Sequence, residues 1–172
     1  MNKGLNVNTA GFLTATQQFS EPKVNYIEAL AFYDATLQTH PDRYAWTGRG
    51  SALLNLGQYE EAVTSYDRAI ALQADETAWY HRGEALFHLG RYQEALRSYE
   101  RALEIEPDFE AALYSKARTL TCLNQVELAL QYLEATLELS PKEYGAILGK
   151  DSCFDGIRNH PTFQALINRS IN

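Results

Sequence analysis

The feature that most constrains this chain is a self-similarity at a fixed offset. Residues 79–107, WYHRGEALFHLGRYQEALRSYERALEIEP, hold two helix-period segments separated by Leu89-Gly90-Arg91 and stopped by Pro107. A shift of 33 residues superimposes Trp46 on Trp79, Arg49-Gly50 on Arg82-Gly83, and Leu56-Gly57-Gln58-Tyr59 on Leu89-Gly90-Arg91-Tyr92. Glu61-Ala62, Tyr66 and Asp67-Arg68-Ala69 then fall on Glu94-Ala95, Tyr99 and Glu100-Arg101-Ala102. A period of this length marks a unit that cannot bury its apolar face alone, so the chain is expected to stack its copies into a solenoid.

The repeat predicts a series of helix pairs. After a frayed, polar start over residues 1–8, Thr9 is placed to cap a first helix carrying Phe12, Leu13 and Phe19, which ends near Ser20 ahead of Pro22. A second helix is expected from about Asn25 to His40-Pro41, with Tyr26, Ala29, Tyr33 and Thr36 in register with Tyr59, Ala62, Tyr66 and Ala69. The next pairs are Tyr44–Leu56 with Tyr59–Gln73, and Thr77–Leu89 with Tyr92–Glu104. Beyond Pro107 the offset becomes 34, and the extra residue is assigned to the turn between pairs, where insertion is best tolerated. Glu110–Leu123 and Glu127–Leu139 form the fourth pair. A short further helix follows Pro141, then a turn or short helix over DSCFDGIR, and a last helix over Thr162–Asn168 opened by Pro161. Phe154, Ile157, Phe163, Leu166 and Ile167 are expected to close the open end of the stack.

The recurring small residues explain how two helices can pack so closely. Gly50, Ala62 and Ala69 in one pair, and Gly83, Ala95 and Ala102 in the next, have no bulk beyond Cβ, while Tyr59, Tyr66, Tyr92 and Tyr99 fill the space beside them. The outer copies keep the pattern less strictly, with Gln17, Thr36 and Thr136 at small-residue places. Terminal repeats need a more polar outer face, so this decay suits a self-contained stack.

The set W-x-x-R-G, L-G-x-Y-x-E-A, Tyr, Ala and Pro, clearest over residues 46–107, resembles the tetratricopeptide repeat, and the likeness extends over about residues 10–150. Ankyrin repeats share the period but carry a T-P-L-H-x-A signature that this chain lacks. Ala74 stands where the family usually has Pro, and KDSCFDGIRNHPTFQALI is similar to a closing segment that follows some arrays. The resemblance implies an all-α, right-handed solenoid of about four antiparallel helix pairs. The expected units are residues 10–42, 43–75, 76–109 and 110–143, with a capping segment over 144–170, all within one domain spanning 9–170.

Composition narrows the function. The formal charge of -7 disfavours a nucleic-acid partner, whose phosphates are held by Lys and Arg, and suits a cationic one. Cys122 and Cys153 make neither a CxxC pair nor a disulfide framework, so a reducing compartment is expected. No apolar run reaches the length of a membrane span, and the N-terminus lacks a signal-peptide core, which together predict a cytoplasmic protein without membrane insertion. Asn168-Arg169-Ser170 matches a glycosylation sequon that has no meaning in that compartment.

Catalysis has no support in the pattern. His81 and His88 are seven residues apart on one helix, His40 and His160 each precede Pro, and no metal, phosphate-loop or nucleophile-base spacing occurs. No metal and no cofactor are therefore expected. Arg49, Arg82 and Lys116 occupy equivalent places and are read as structural cations, each laying its stem over the neighbouring helix and its head against a carboxylate.

The informative residues lie on the other side of each first helix. At 100° per residue, Trp79, Arg82, Gly83 and Leu86 face the partner helix, whereas Thr77, Tyr80, Glu84, Phe87 and His88 lie opposite. A face that merely met water would be polar, yet this one carries Tyr80 and Phe87. The resemblance implies that it lines a concave groove for a peptide or helix of another protein. The candidate residues are Tyr44, Thr47, Ser51 and Leu54; Thr77, Tyr80, His81, Glu84, Phe87 and His88; and Tyr114, Arg118 and Thr121.

Large, rigid aromatics with a polar tip are frequent interface anchors, and Tyr44, Tyr80 and Tyr114 could equally pack as a ladder between first helices. The carboxylate clamp by which some members hold chaperone C-termini needs Lys, Asn, Asn, Lys and Arg. One frame puts Thr47, Ser51, His81, Ala111 and Ser115 there, and the other Thr14, Gln18, Gly48, Thr77 and His81, so no clamp partner is expected. The sequence thus points to a non-enzymatic scaffold, monomeric by expectation. The alternative is a self-associating array joined through its aromatic face or end cap.

Overall fold

The computed structural model describes residues 22–171, and the expected helix at Thr9–Ser20 lies outside them. The described elements are helical throughout: α1 (Pro22–Thr39), α2 (Arg43–Asn55), α3 (Tyr59–Leu72), α4 (Glu76–His88), α5 (Tyr92–Ile105), α6 (Glu110–Cys122), α7 (Val126–Leu139), α8 (Pro141–Leu148), a 3-10 turn (Ser152–Ile157) and α9 (Pro161–Ile171). Each helix packs mainly on its neighbours in sequence, which makes a solenoid of antiparallel pairs. α1 begins at Pro22 rather than near Asn25, because Pro is well suited to a first helical turn. α9 runs from Pro161 to Ile171, longer than the expected Thr162–Asn168.

Local chemistry sets each boundary. Asp42 and Asp75 accept hydrogen bonds from the amides of Ala45 (2.8 Å) and Ala78 (2.7 Å), capping α2 and α4. The turn within each pair is closed by a left-handed residue, Gly57 (φ 76°), Gly90 (φ 72°) or Asn124 (φ 59°). The amide after it returns to a carbonyl five residues back, as Gln58 to Leu53, Arg91 to Leu86 and Gln125 to Leu120, each at 2.9 Å. Three residues separate α3 from α4 but four separate α5 from α6, so the inserted residue does sit in the turn between pairs.

The core is built from the second-helix tyrosines. Tyr66 and Tyr99 are completely buried among Leu53, Ala62, Leu86 and Ala95. A Cβ added at Gly50 would fall 2.8 Å from the Tyr66 ring, and one at Gly83 would fall 2.5 Å from the Tyr99 ring, so only Gly lets these helices cross at this distance. The same tyrosines reach the following pair. Tyr33 covers Gly48, and Tyr66 stacks on His81 with centroids 5.9 Å apart and planes 18° apart. At the far end Phe154 and Phe163, both fully buried, close over Leu130, Leu133 and Leu148 with Ile157, Leu166 and Ile167, as the apolar spacing predicts.

The cations at equivalent places join successive pairs. Arg49 Nε donates to Asp34 (2.7 Å), and its terminal nitrogen donates to Ser65 (2.8 Å). Arg82 repeats the arrangement with Asp67 (2.7 Å) and Ser98 (2.7 Å), and Lys116 pairs with Glu100 at 3.2 Å. The carboxylates are about half exposed, which limits each pair to about 0.2–1 kcal/mol.

Two predictions follow from this packing. Gly83→Ala is expected to lose about 1–3 kcal/mol in denaturant unfolding, because the Tyr99 ring must move from its seat. Gly149→Ala, whose Cβ would meet nothing within 4 Å, serves as the control that keeps full stability. The second concerns His81. Burial pulls its pKa below the ordinary value and outweighs the opposing pull of Glu84 and Asp75. The unfolded chain then binds the extra proton, so stability is complete above about pH 6.5 and is lost as pH falls through the depressed folded-state value. His81→Gln should flatten the Tm profile between about pH 7 and about pH 5; an unchanged slope would assign the acid sensitivity elsewhere.

Candidate functional site

The first helices present one side of α2, α4 and α6 to the interior of the stack, and the middle of that surface is a chain of polar and aromatic contacts. Glu84 on α4 accepts a hydrogen bond from the Tyr99 hydroxyl at 2.5 Å. Arg118 on α6 lies 3.8 Å from Glu84 and 3.1 Å from Asp151, and Tyr114 donates to Asp151 at 3.0 Å. The Arg118 guanidinium also lies 4.6 Å over the Phe87 ring. Its Nε is close to Asp151 but not aimed along a hydrogen bond, so the attraction there is that of an ion pair. Two carboxylates, one guanidinium and two phenols thus form a continuous network across α4, α5, α6 and the cap.

The pKa shifts report the same enclosure. Burial alone pulls Arg118 down, but Cys153, Glu84 and Asp151 more than reverse this, and the group is held protonated. Burial raises Tyr99 well above the ordinary phenol range, and Glu84 adds to the shift. Burial, followed by the charge of Asp151, raises Tyr114, which keeps it a donor. Burial also raises Cys153 despite the opposing influence of Arg118. Arg118 thus stays charged and the Tyr99 and Tyr114 hydroxyls stay protonated, which fixes the donors of the network.

The sequence-derived residues divide according to their surroundings. Tyr80, Glu84, Phe87 and Arg118 are brought together around the network. Tyr80 packs edge-on against Phe109 with centroids 5.2 Å apart and also lies 6.1 Å from Tyr99. Tyr114 is only 7% exposed and is covered by Tyr144 and Phe154, so the cap lies over it. Tyr44, at the opposite end, is 60% exposed; Arg43 donates to its hydroxyl at 2.8 Å and lies 4.3 Å over its ring.

The hydroxyls of Thr47 and Thr121 are used within their own helices, bonded to the carbonyls of Arg43 (2.8 Å) and Ala117 (3.0 Å). The Ser51 Oγ is 3.1 Å from the Tyr66 hydroxyl, Thr77 donates to Glu76 (3.3 Å), and Leu54 packs on the core. His88 stacks on Tyr59 of the preceding pair at 4.8 Å and 9°, while His81 lies on Tyr66.

Three participants were not among the sequence candidates. Asp151 comes from the cap, and nothing in a single repeat marks it as facing Arg118. Tyr99 is a framework tyrosine by register, yet its hydroxyl reaches the inner face. Phe109 was detectable, because it stands where Asp42 and Asp75 cap the other first helices. The exchange forgoes a cap, since α6 has no side-chain N-cap bond, and gains an aromatic contact to Tyr80. No group of three or more His, Cys, Asp or Glu among the described residues is arranged to hold a metal ion. No described helix is long and apolar enough to cross a membrane.

Comparison with known proteins agrees with this architecture. No curated protein matches the sequence. Among solved structures, MamA residues 41 to the end from Desulfovibrio magneticus RS-1 superimposes with a TM-score of 0.74 at 23% identity, covering 93% of this chain and 91% of that one. YrrB, described as a tetratricopeptide protein with an unusual peptide-binding site, gives 0.66 at 22% identity over 93% and 90%. The second tetratricopeptide domain of Spaghetti, solved with an HSP90 peptide, gives 0.57 at 24% identity over 62% and 99%. These likenesses establish the fold. Two family models, both described as tetratricopeptide repeat, match residues 25–77 and 47–109 in one case and 86–150 in the other. The chain therefore belongs to the tetratricopeptide repeat family.

Proposed function

We propose that the protein is a non-enzymatic interaction scaffold whose inner face binds a segment of another protein. The observation that carries this reading is the cluster of Tyr80 and Phe87 beside the Glu84–Arg118–Asp151 network. A surface that served only to meet water would not hold aromatic rings around a fixed set of donors and acceptors. The rings offer contact area with little entropy to lose, and the charges offer orientation. Tyr44 extends the surface toward the N-terminal end, and Thr77, Ser51, Leu54 and Thr121 form its flanks. The partner is a peptide or helix from a protein rather than nucleic acid, and no cofactor takes part. The five positions of the carboxylate clamp are occupied by residues that cannot hold a C-terminal carboxylate in that way, so a clamp-type chaperone partner is not proposed.

Tyr80→Ala combined with Phe87→Ala should abolish capture of the native partner while leaving far-UV helicity in place, and the test is affinity capture with wild type and double mutant in parallel. An identical set of captured proteins would remove the inner face from consideration.

A second reading, self-association, is favoured by a different observation. Leu72, Ile105 and Leu139 stand at equivalent ends of α3, α5 and α7 and remain 56, 48 and 42% exposed, which makes a regular apolar row. Light scattering over a concentration series decides between the two: a constant monomer mass excludes the row as a homo-oligomer interface, and a mass that doubles supports it.

A further inference from the structure

The chain has two cysteines, on different elements, and the fold brings both to one place beside the inner face. Cys122 closes α6, and Cys153 lies in the 3-10 turn of the cap, which packs on α6. The Cys153 amide donates to Asp151 at 2.9 Å, and the other carboxylate oxygen of Asp151 is 3.1 Å from Arg118. The Cys153 sulfur itself accepts from Arg118, and its thiol donates to Asp151, so the sulfur lies against the guanidinium. Cys122 is one helical turn beyond Arg118 on the same side of α6, a spacing that sets the two side chains about 5–6 Å apart at Cβ. The Tyr92 hydroxyl donates to the Cys122 sulfur, and Cys153 is near enough to act on the same hydroxyl. The Tyr92 ring is 5.4 Å from that of Phe87, over which Arg118 lies. Both sulfurs therefore border one patch built from Phe87, Tyr92 and Arg118. Cys122 is exposed there, whereas Cys153 is half-buried.

We propose that Cys122 and Cys153 form a redox-sensitive pair, which a small disulfide such as oxidised glutathione closes into an internal disulfide joining the cap to α6. The exposed Cys122 thiolate attacks one sulfur of oxidised glutathione, whose sulfur–sulfur bond breaks; one glutathione leaves as a thiol and the other stays on Cys122 as a mixed disulfide. The Cys153 thiolate then attacks the Cys122 sulfur and the second glutathione leaves as a thiol. The protein loses two electrons and two protons, and the glutathione disulfide gains them. Arg118 serves the second step, because a guanidinium beside a sulfur favours its thiolate. Burial opposes this and holds the Cys153 thiol above the ordinary range, so closure speeds up as pH rises. In a reducing compartment the open dithiol is the resting form. A disulfide needs its two Cβ atoms about 3.8 Å apart, so Cys153 moves toward α6 and takes the space of the Arg118 guanidinium. Arg118 then leaves Asp151 and Phe87, which carries the redox state into the inner face. Regulation of partner binding by this step rests on the proposed function; the pair itself does not.

The test is oxidation of the full chain with excess oxidised glutathione, followed by thiol counting, peptide mapping and intact mass. The expected product is a monomer that has lost both thiols to one Cys122–Cys153 bond, carries no glutathione, and returns to the dithiol in dithiothreitol. Closing a loop of this length should raise Tm by roughly 5–10 °C. Cys153→Ser should stop at the mixed disulfide on Cys122, and Cys122→Ser should react at least about tenfold more slowly than wild type, because the remaining thiol is half-buried. In the isotope-labelled chain, oxidation should shift the Arg118 and Phe87 signals of wild type and leave those of Cys122→Ser in place. Glutathione adducts without an internal bond, a disulfide-linked dimer, or thiols that stay unreacted would overturn the pair. An internal bond that leaves the Arg118 and Phe87 signals unmoved would overturn its link to the inner face. The sulfur chemistry is read without any partner, so the pair stands or falls separately from the capture experiment with the Tyr80 and Phe87 double mutant.

Discussion

The contact on which the rest of the structure depends is the seat of the second-helix tyrosine between two first helices. Tyr66 lies on Gly50 within its own pair and stacks on His81 of the next, so a single side chain fixes both the crossing inside a repeat and the step between repeats. Tyr99 lies on Gly83 and sends its hydroxyl to Glu84 on the inner face. Close packing permits this only while the summed volume at the crossing is conserved. The fourth pair shows the constraint from the other side. There the Gly place is Ala117 and the Tyr place is Leu133, a larger residue facing a smaller one, and both are buried.

The two faces of the stack use charge differently for a related reason. On the outer side, Arg49, Arg82 and Lys116 reach back to carboxylates at the same register, one pair apart, in contact with water. Such pairs add little energy each, but they are directional and repeat with the solenoid, so they favour one stacking offset over neighbouring ones. On the inner side, Glu84, Arg118 and Asp151 keep only 15–20% of their side-chain surface accessible. Removing any one of them would strand the others in a poorly solvated place, which makes this network sensitive to substitution in a way that the outer ladder is not. It also ties the cap to the third and fourth pairs.

The fold was legible in the sequence almost to the residue, because the period, the left-handed turn positions and the proline stops all act locally. α2 to α7 begin and end within about two residues of the places the repeat assigns. The inner face was legible only in outline. Helical spacing puts Tyr80, Glu84 and Phe87 on one side of α4, since that depends on one helix at a time. It could not tell that Tyr114 would be covered by Tyr144 and Phe154, that His88 would lie back on Tyr59, or that Asp151 would face Arg118. Those contacts join residues from different elements, and the angle between elements is set by packing that no single repeat encodes. Asn124 makes the same point in reverse: it takes the left-handed turn position held elsewhere by Gly57 and Gly90, a substitution that turn chemistry allows.

A repeat protein carries its specific information where the repeat fails, and here the failures are concentrated at one junction. Between the third and fourth pairs, the capping Asp becomes Phe109, the Trp becomes Leu113, the outer Arg becomes Ala135, and one residue is inserted in the turn. Phe109 lacks the side-chain cap that Asp42 and Asp75 supply, and Leu113 and Ala135 lack the ring and cation that Trp79 and Arg101 bring together in the third pair. Phe109 gives up an N-cap and packs against Tyr80 on the inner face, while on the outer one Leu113 gives up the indole and Tyr132, at the place of Ser65 and Ser98, puts its ring under Lys116 instead. The lengthened turn between α5 and α6 keeps the extra residue outside the regular helices. The junction is thus the place where the repeat exchanges its usual cap and indole for contacts found in no other described pair, on both of its faces at once.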